Sequence, residues 1–284
     1  MSRLALSGTL LGGVDEEDFF ANVWRRSFAH FPGAAAGLAE VLPTSADVTQ
    51  ILAGPAWANS AVVPYLSFPR EGDETHHSWI TPAPGAHESY RSADESINLG
   101  EADRWFPALR PLVASLAALF HGQINAQLFV SEAGGGVRPH ADLHEGFVIQ
   151  IAGRKQWRVV NPNPEKPVPA AGPFTLGENA DTYELEPGDV LYVPSHATHA
   201  THVAEGQSLS LTMSVVLPTA ADAVLTLIQR RVLTDPRWSL GLPLSPRDCE
   251  RLADAVTELA DQIREGKTLL GLPSRSILGA RRFR

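Results

Sequence analysis

One cysteine, Cys249, two methionines and only 23 lysines and arginines occur among the 284 residues. Each shortage excludes something. A lone cysteine closes no intrachain disulfide, which fits a reducing compartment, and Cys249 is expected as a small buried residue of a helix. Because 32 acidic residues outnumber the bases, the net charge is −9, which works against non-specific binding to phosphate backbones. Nucleic acid is therefore not an expected partner. No apolar run approaches the roughly 20 residues that span a bilayer. The short apolar stretch in "MSRLALSGTLLGGVDEEDFF" is broken by glycines and followed by acids, without a convincing cleavage site. The expectation is a cytoplasmic protein with no membrane partner. Internal repeats are absent, and "NPNPEKPVPAAGP" (161–173) is the one compositionally biased loop.

What is present is a change of period along the chain. In "VDEEDFFANVWRRSFAHFPG" (14–33) acids precede apolar residues at near-helical spacing, which predicts a helix ending before Pro32 and Gly33. Trp24 in this stretch is expected to pack rather than to bind. A short helix is expected from Ser45 to Gly54, and a longer one over "PALRPLVASLAALFHG" (107–122). Between them, residues 69–104 carry prolines, charges and the pair His76 and His77 without periodicity, and predict a long loop or lid.

From residue 123 the period is two. Asn125, Gln127, Phe129 and Ser131 share one face of a strand and Ala126, Leu128 and Val130 the other. "GFVIQIAGRKQWRVV" (146–160) reads as two strands joined at Gly153, "LEPGDVLYVP" as a turn feeding a strand, and "SLSLTMSVV" (208–216) as a strand with Ser208, Ser210, Thr212 and Ser214 aligned. Closely spaced strands of this kind predict an antiparallel sandwich or barrel. The polar rows face either bulk water or a central cavity, and periodicity does not choose between them. After Pro218, "TAADAVLTLIQRRVLTD" and "SPRDCERLADAVTELADQIREGK" predict two amphipathic helices, with a basic tail, "SRSILGARRFR", behind them.

The stretch "RPHADLHEGF" carries the chemistry. Residues two apart on a strand point the same way, so His140 and Asp142 can aim an imidazole nitrogen and a carboxylate oxygen at one point. Two histidines and one carboxylate on one face of an octahedral ion form the site of non-haem Fe(II) oxygenases, with three positions open. The third ligand is sought among His196, His199 and His202, which follow the strand "VLYVP". Glu145, beside His144, is an alternative carboxylate ligand. Trp157 is expected to pack.

"PHADLHEGFVIQIAGRKQWRVV", "PGDVLYVPSHATHA" and "SLSLTMSVV", in this order, resemble the core of the JmjC-type cupin dioxygenases, in particular the ribosomal-oxygenase group. The resemblance covers about residues 120–217. It implies a mainly β fold with helices: a double-stranded β-helix (cupin, jelly-roll) core over residues 1–218 with N-terminal helices, then a helical region, 219–284, which in that group mediates dimerisation. It implies Fe(II) held by His140, Asp142 and His199, the last chosen because the final histidine of the pattern follows a strand proline by five residues, here Pro194. Lys155 takes the place of the base that pairs with the distal carboxylate of 2-oxoglutarate, with Asn125 and Ser131 as further cosubstrate contacts. The implied reaction consumes O2 and 2-oxoglutarate, hydroxylates an amino-acid side chain in a peptide or protein, and releases succinate and CO2. A free amino acid or small metabolite is the alternative substrate, and a non-catalytic cupin binding protein the alternative of another class.

Overall fold

Asp15 begins the first substantial helix by accepting from the backbone N–H groups of Glu17 and Asp18 at 2.8 and 3.2 Å, where three acids also favour a helix N-terminus. The computed structural model describes residues 6–53, 65–68, 76–79, 96–163, 165, 174–241 and 244–264. After a single turn, α1 (Leu6–Thr9), the helix α2 runs only over Glu16–Asn22. The expected continuation to residue 31 is not formed: Arg25 adopts a left-handed φ of 61°, and β1 (Ala29–Phe31) pairs with a later strand. Backbone groups that a helix would have satisfied internally instead cover a sheet edge. Phe19 anchors this lead-in, fully buried and edge-on to Tyr192 at 5.0 Å, while Trp24 stacks on Tyr192 at 5.5 Å, in the packing role expected of it.

Helix α3 (Ser45–Ala53) is followed by β2 (Tyr65–Phe68), β3 (His76–Trp79), β4 (Ser96–Leu99), the one-turn α4 (Ala102–Trp105) and α5 (Arg110–Phe120). The loop expected over 69–104 is thus corrected, since β3, β4 and α4 lie inside it and His76 and His77 belong to β3. Four-residue strands are too short to display a period, and β4 is specified by its partner, with Ile97 opposite Val130 and all four residues buried. In α5 the buried positions Leu112, Leu116 and Phe120 fall on one stripe.

The remaining strands are β5 (Gln123–Glu132), β6 (Gly136–Ala141), β7 (Glu145–Ala152), β8 (Lys155–Val160), β9 (Asp181–Leu185), β10 (Val190–Val193), β11 (Thr198–His202) and β12 (Gln207–Val216). Among the described residues they form an eight-stranded sheet, ordered β1-β10-β7-β12-β5-β4-β2-β3, and a four-stranded sheet, β6-β11-β8-β9. Every pairing is antiparallel. The turn at Gly153 carries the chain from the larger sheet to the smaller. Its φ is +65°, and a Cβ there would lie 2.0 Å from Gln207 O, so only glycine fits. Between the sheets Val148, Trp157, Val159, Leu191 and Val193 make a buried cluster.

The chain divides into two compact units, Met1–Leu119 with Gln123–Val216, and Phe120–Gly122 with Leu217–Arg284. In the second, α6 (Ala220–Thr234) opens with a capping box between Thr219 and Asp222, and α7 (Pro246–Arg264) presents Ala255 and Leu259 as its buried positions. Arg237 joins the two helices by chelating Asp235 and Glu258 at 2.8 and 2.6 Å. Cys249 lies in α7 but is exposed, contrary to expectation, because its position falls off the buried stripe. The basic tail 274–284 and most of the 161–173 loop lie outside the described residues. No described helix is long and apolar enough to cross a membrane.

Candidate metal centre

β6 and β11 are antiparallel neighbours with His140 directly opposite His199, and directly opposed residues project to the same face. The two imidazole rings lie 4.2 Å apart. Asp142, two residues after His140 and just past the strand, turns its carboxylate to the same point: Oδ2 is 3.9 Å from His140 Nε2 and 3.7 Å from His199 Nε2. Ligand atoms of the three side chains all lie within 4.8 Å of one another, spacing that could hold a metal ion. Each histidine also has its tautomer fixed. Nδ1 of His140 lies 2.8 Å from Arg138 O and Nδ1 of His199 3.0 Å from Ala197 O. A carbonyl only accepts, so Nδ1 carries the proton and Nε2 offers its lone pair to the cluster. Burial, reinforced by the neighbouring His140, pushes the His199 pKa down to about 4, which keeps the ring in the neutral form that ligation requires.

Period two separates the downstream histidines. His199 and Thr201 face inward, with His199 3% exposed, whereas His202 is exposed and His196 sits before the strand. His196 has a different part: in a left-handed conformation with φ 61°, it donates its backbone N–H to Asp142 O at 2.7 Å. Glu145 is not a member of the cluster. Its buried carboxylate accepts from Tyr192 OH at 2.5 Å, Ser195 N at 3.1 Å, Ser195 Oγ at 2.8 Å and Arg25 Nε at 3.2 Å. All its capacity is spent on tying the lead-in turn to the loop before β11.

The cluster forms part of the wall of a cavity of about 200 Å³ between the two sheets. The polar rows of the longer strands face this cavity: Asn125, Gln127 and Phe129 from β5, and Ser210, Thr212 and Ser214 from β12. Lys155 and Trp157 enter from β8, on the same inward row. Lys155 is 2% exposed, lies 5.9 Å from the centre of the Phe129 ring, and has no hydrogen-bond or ion-pair partner among the described residues. Burial pushes its ammonium down to about 8. A buried cation without an anion is costly to hold, and the cavity beside it suits a ligand that brings a carboxylate. Asn125 lines the cavity and accepts from Gln123 Nε2 at 2.8 Å. Ser131 does not line it. Its hydroxyl lies 2.7 Å from Ser96 Oγ, which donates to Gly136 O at 3.0 Å, so Ser131 helps to anchor the start of β6.

Several contacts had no signal of their own in the sequence. Trp157 stacks on His199 at 5.5 Å and Phe28 meets it edge-on at 6.2 Å. Thr201 and Trp157 could have been reached by extending the inward rows from His199 and Lys155 by two. Phe28, from the far lead-in, could not.

Residues 111–223 match the sequence pattern of the JmjC domain. The double-sheet fold and the cluster of two histidines and one carboxylate are similar to those of JmjC-type cupin proteins. The chain is similar to proteins named as ribosomal oxygenases and histidyl-hydroxylases. It is 34% identical over 128 residues to the bifunctional lysine-specific demethylase and histidyl-hydroxylase NO66 of Drosophila willistoni, an alignment covering 42% of this chain and 17% of that protein. Against ribosomal oxygenase 2 of Rattus norvegicus it is 27% identical over 197 residues, covering 62% of this chain and 42% of the relative. The chain thus spans less than half the length of either. The fold superposes on the ribosomal oxygenase YcfD of Escherichia coli in complex with cobalt and 2-oxoglutarate, with a TM-score of 0.60 at 21% identity, over 93% of this chain and 71% of the other. A further structure of YcfD gives a TM-score of 0.62, also at 21% identity, over 88% and 68%.

Proposed function

We propose that this chain is an Fe(II)- and 2-oxoglutarate-dependent oxygenase that hydroxylates an amino-acid side chain in a peptide or protein, releasing succinate and CO2. The observation that carries this reading is a two-histidine, one-carboxylate cluster in the wall of a cavity that also holds a buried, unpaired lysine. The relatives named as ribosomal oxygenase and histidyl-hydroxylase, and the E. coli structure with cobalt and 2-oxoglutarate, support it.

His140, Asp142 and His199 would hold the iron, a donor set of two imidazoles and a carboxylate that fits Fe(II). When bound, iron supplies the activation of O2 that is coupled to 2-oxoglutarate decarboxylation. Lys155 receives the distal carboxylate of 2-oxoglutarate, exchanging an unpaired buried charge for a charge-assisted hydrogen bond. Asn125 offers a further amide contact from β5. The apolar backing of His199 by Trp157 and Phe28 keeps water from the ring and fixes its orientation. A cavity of about 200 Å³ admits the cosubstrate and one inserted side chain, so the remainder of a polypeptide substrate lies outside it. The net charge of −9 suits a basic polypeptide better than a nucleic acid. The protein acts in the cytoplasm as a homodimer assembled through α6 and α7.

The test is succinate formation after anaerobic Fe(II) loading and admission of O2, with peptides and free amino acids as separate substrate sets and Asp142→Ala as control. Peptide-stimulated, Asp142-dependent turnover is expected. Stimulation by free amino acids alone would move the substrate to the small-molecule class. Binding of iron and 2-oxoglutarate without turnover on either set would favour a non-catalytic cupin.

A further inference from the structure

Two turns cross between the sheets beside the metal centre. Residues 142–144 lead from β6 to β7 and carry Asp142, and residues 194–197 lead from β10 to β11, two residues before His199. The turns lie side by side, because Ala141 opposes Thr198 at one end and Gly146 opposes Val193 at the other. Between these two ladders His196 donates its backbone N–H to Asp142 O at 2.7 Å. The other tie is the carboxylate of Glu145, 2% exposed. Each of its oxygens takes two donors. Oε2 accepts from Tyr192 OH at 2.5 Å and from Ser195 N at 3.1 Å, and Oε1 from Ser195 Oγ at 2.8 Å and Arg25 Nε at 3.2 Å. The Tyr192 oxygen in turn accepts from Arg25 N at 2.9 Å, which leaves its proton for the carboxylate. An ionised carboxylate only accepts, and these four bonds fill its lone pairs.

We propose that Glu145 is a positioning residue of the metal centre: by accepting from Ser195 N and Oγ it holds the turn before β11 against the turn after β6, and so fixes where Asp142 and His199 stand relative to each other. The proposal rests on the iron-site reading above. A buried carboxylate is costly unless its oxygens are satisfied, so this one enforces the arrangement of its donors. Asp142 stands three residues before Glu145, and His199 four residues after Ser195. The clamp therefore sets the spacing of two ligands without touching the metal. Its arms differ in what they hold. Tyr192 and the half-exposed Arg25 tie the carboxylate to the lead-in, whereas the two bonds to Ser195 act on the turn itself. A metal site with loose supporting contacts loses its geometry before the fold is lost. Groups that orient metal ligands from outside the coordination sphere typically change metal affinity by about 10- to 100-fold when removed.

Co(II) titration of the metal-free protein, read by affinity and by the visible d–d spectrum, tests this without turnover. Glu145→Met removes all four bonds at similar side-chain length, and is expected to bind Co(II) about 10-fold more weakly with an altered d–d band. Glu145→Gln can set its carbonyl oxygen on Ser195 N and its amide on Ser195 Oγ, giving up only the half-exposed Arg25 Nε. It is expected to restore most of the affinity and the parent band. Ser195→Ala loses one bond at a partly exposed residue and carries the test if Glu145→Met does not fold. It should melt like the parent when metal-free, and shift affinity and band in the direction of Glu145→Met by a smaller factor. Parent-like affinity and band in Ser195→Ala would overturn the proposal, since the hold on Ser195 is its substance. Impairment of Glu145→Gln equal to that of Glu145→Met would also overturn it, by assigning the effect to the Arg25 ion pair. A lowered metal-free melting point in Glu145→Met with parent affinity would mark a packing role alone and overturn it as well. Parent protein that binds no Co(II) in an Asp142-dependent manner would bring down the iron reading itself, a failure that the Asp142→Ala control tells apart from the other three.

Discussion

Lys155 shows how one residue joins stability to binding. Its ammonium is buried without an anion, and its pKa has fallen from 10.5 to about 8. Below pH 8 the folded protein therefore carries a cost of about 3 kcal/mol relative to the solvated side chain, relieved as pH rises from 8 toward 10.5, where the unfolded chain holds more protons. Lys155→Met is expected to raise the metal-free unfolding midpoint in urea at pH 7 and to abolish this rise, while weakening 2-oxoglutarate binding about 10- to 100-fold, the worth of one charge-assisted hydrogen bond. Calorimetric titration and denaturation separate the two effects. His199 behaves in the same sense at lower pH. Because burial and His140 hold its pKa near 4 against 6.5 in the unfolded chain, stability is lost as pH falls from about 6.5 toward 4, by up to about 3 kcal/mol. Denaturation at pH 7 and pH 4.5 should show this loss, and replacing His199 by Gln should flatten it.

At the scale of elements, the pairing of β6 with β11 decides whether the centre exists. Their register shifts between His199 and Thr201, and a Cβ on Gly136 would stand 1.9 Å from Thr201 O. Gly136→Ala is expected to cost about 3 kcal/mol or more, since backbone must move, and to lower Co(II) affinity with it because His140 opposes His199 through the same ladder. Urea denaturation and Co(II) titration check the two halves. Ser131→Ala is the contrasting case. It removes a buried hydroxyl contact to Ser96, worth about 1 kcal/mol, and should leave 2-oxoglutarate affinity unchanged because Ser131 does not line the cavity.

At the scale of the whole molecule, the second unit exposes apolar side chains that its own packing leaves uncovered. Leu225 is 56% exposed, Val232 42%, Leu233 86% and Val256 48%. Leu225 and Val232 are seven residues apart and share a helix face. If these helices assemble the homodimer, sedimentation velocity at micromolar concentration should give a dimer for the parent and a monomer for Leu225→Glu combined with Leu233→Glu, with the melting point of the first unit unchanged.

Much of this protein was legible in its sequence, because period and spacing are local properties. The i, i+2 relation of His140 and Asp142, the alternation of β5 and β12, the turn at Gly153 and the paired amphipathic helices α6 and α7 follow from neighbours along the chain. Other features were decided only by partners far away in the chain. The segment after Asn22 left its helical pattern because β10 offers an edge to Ala29–Phe31, and β4 formed inside an expected loop because β5 lies beside it. Alternation told which residues share a face but not what that face meets, so only the second sheet turned the polar rows of β5 and β12 toward a cavity rather than water. The same limit placed Ser131 among the cosubstrate contacts, when the strand carries it to Ser96 instead. The sequence by itself determined the ligand types and the strand faces, because these depend on residues within a few positions of one another. Which side chains meet across the centre was decided by the tertiary structure, because antiparallel register joins His140 to His199.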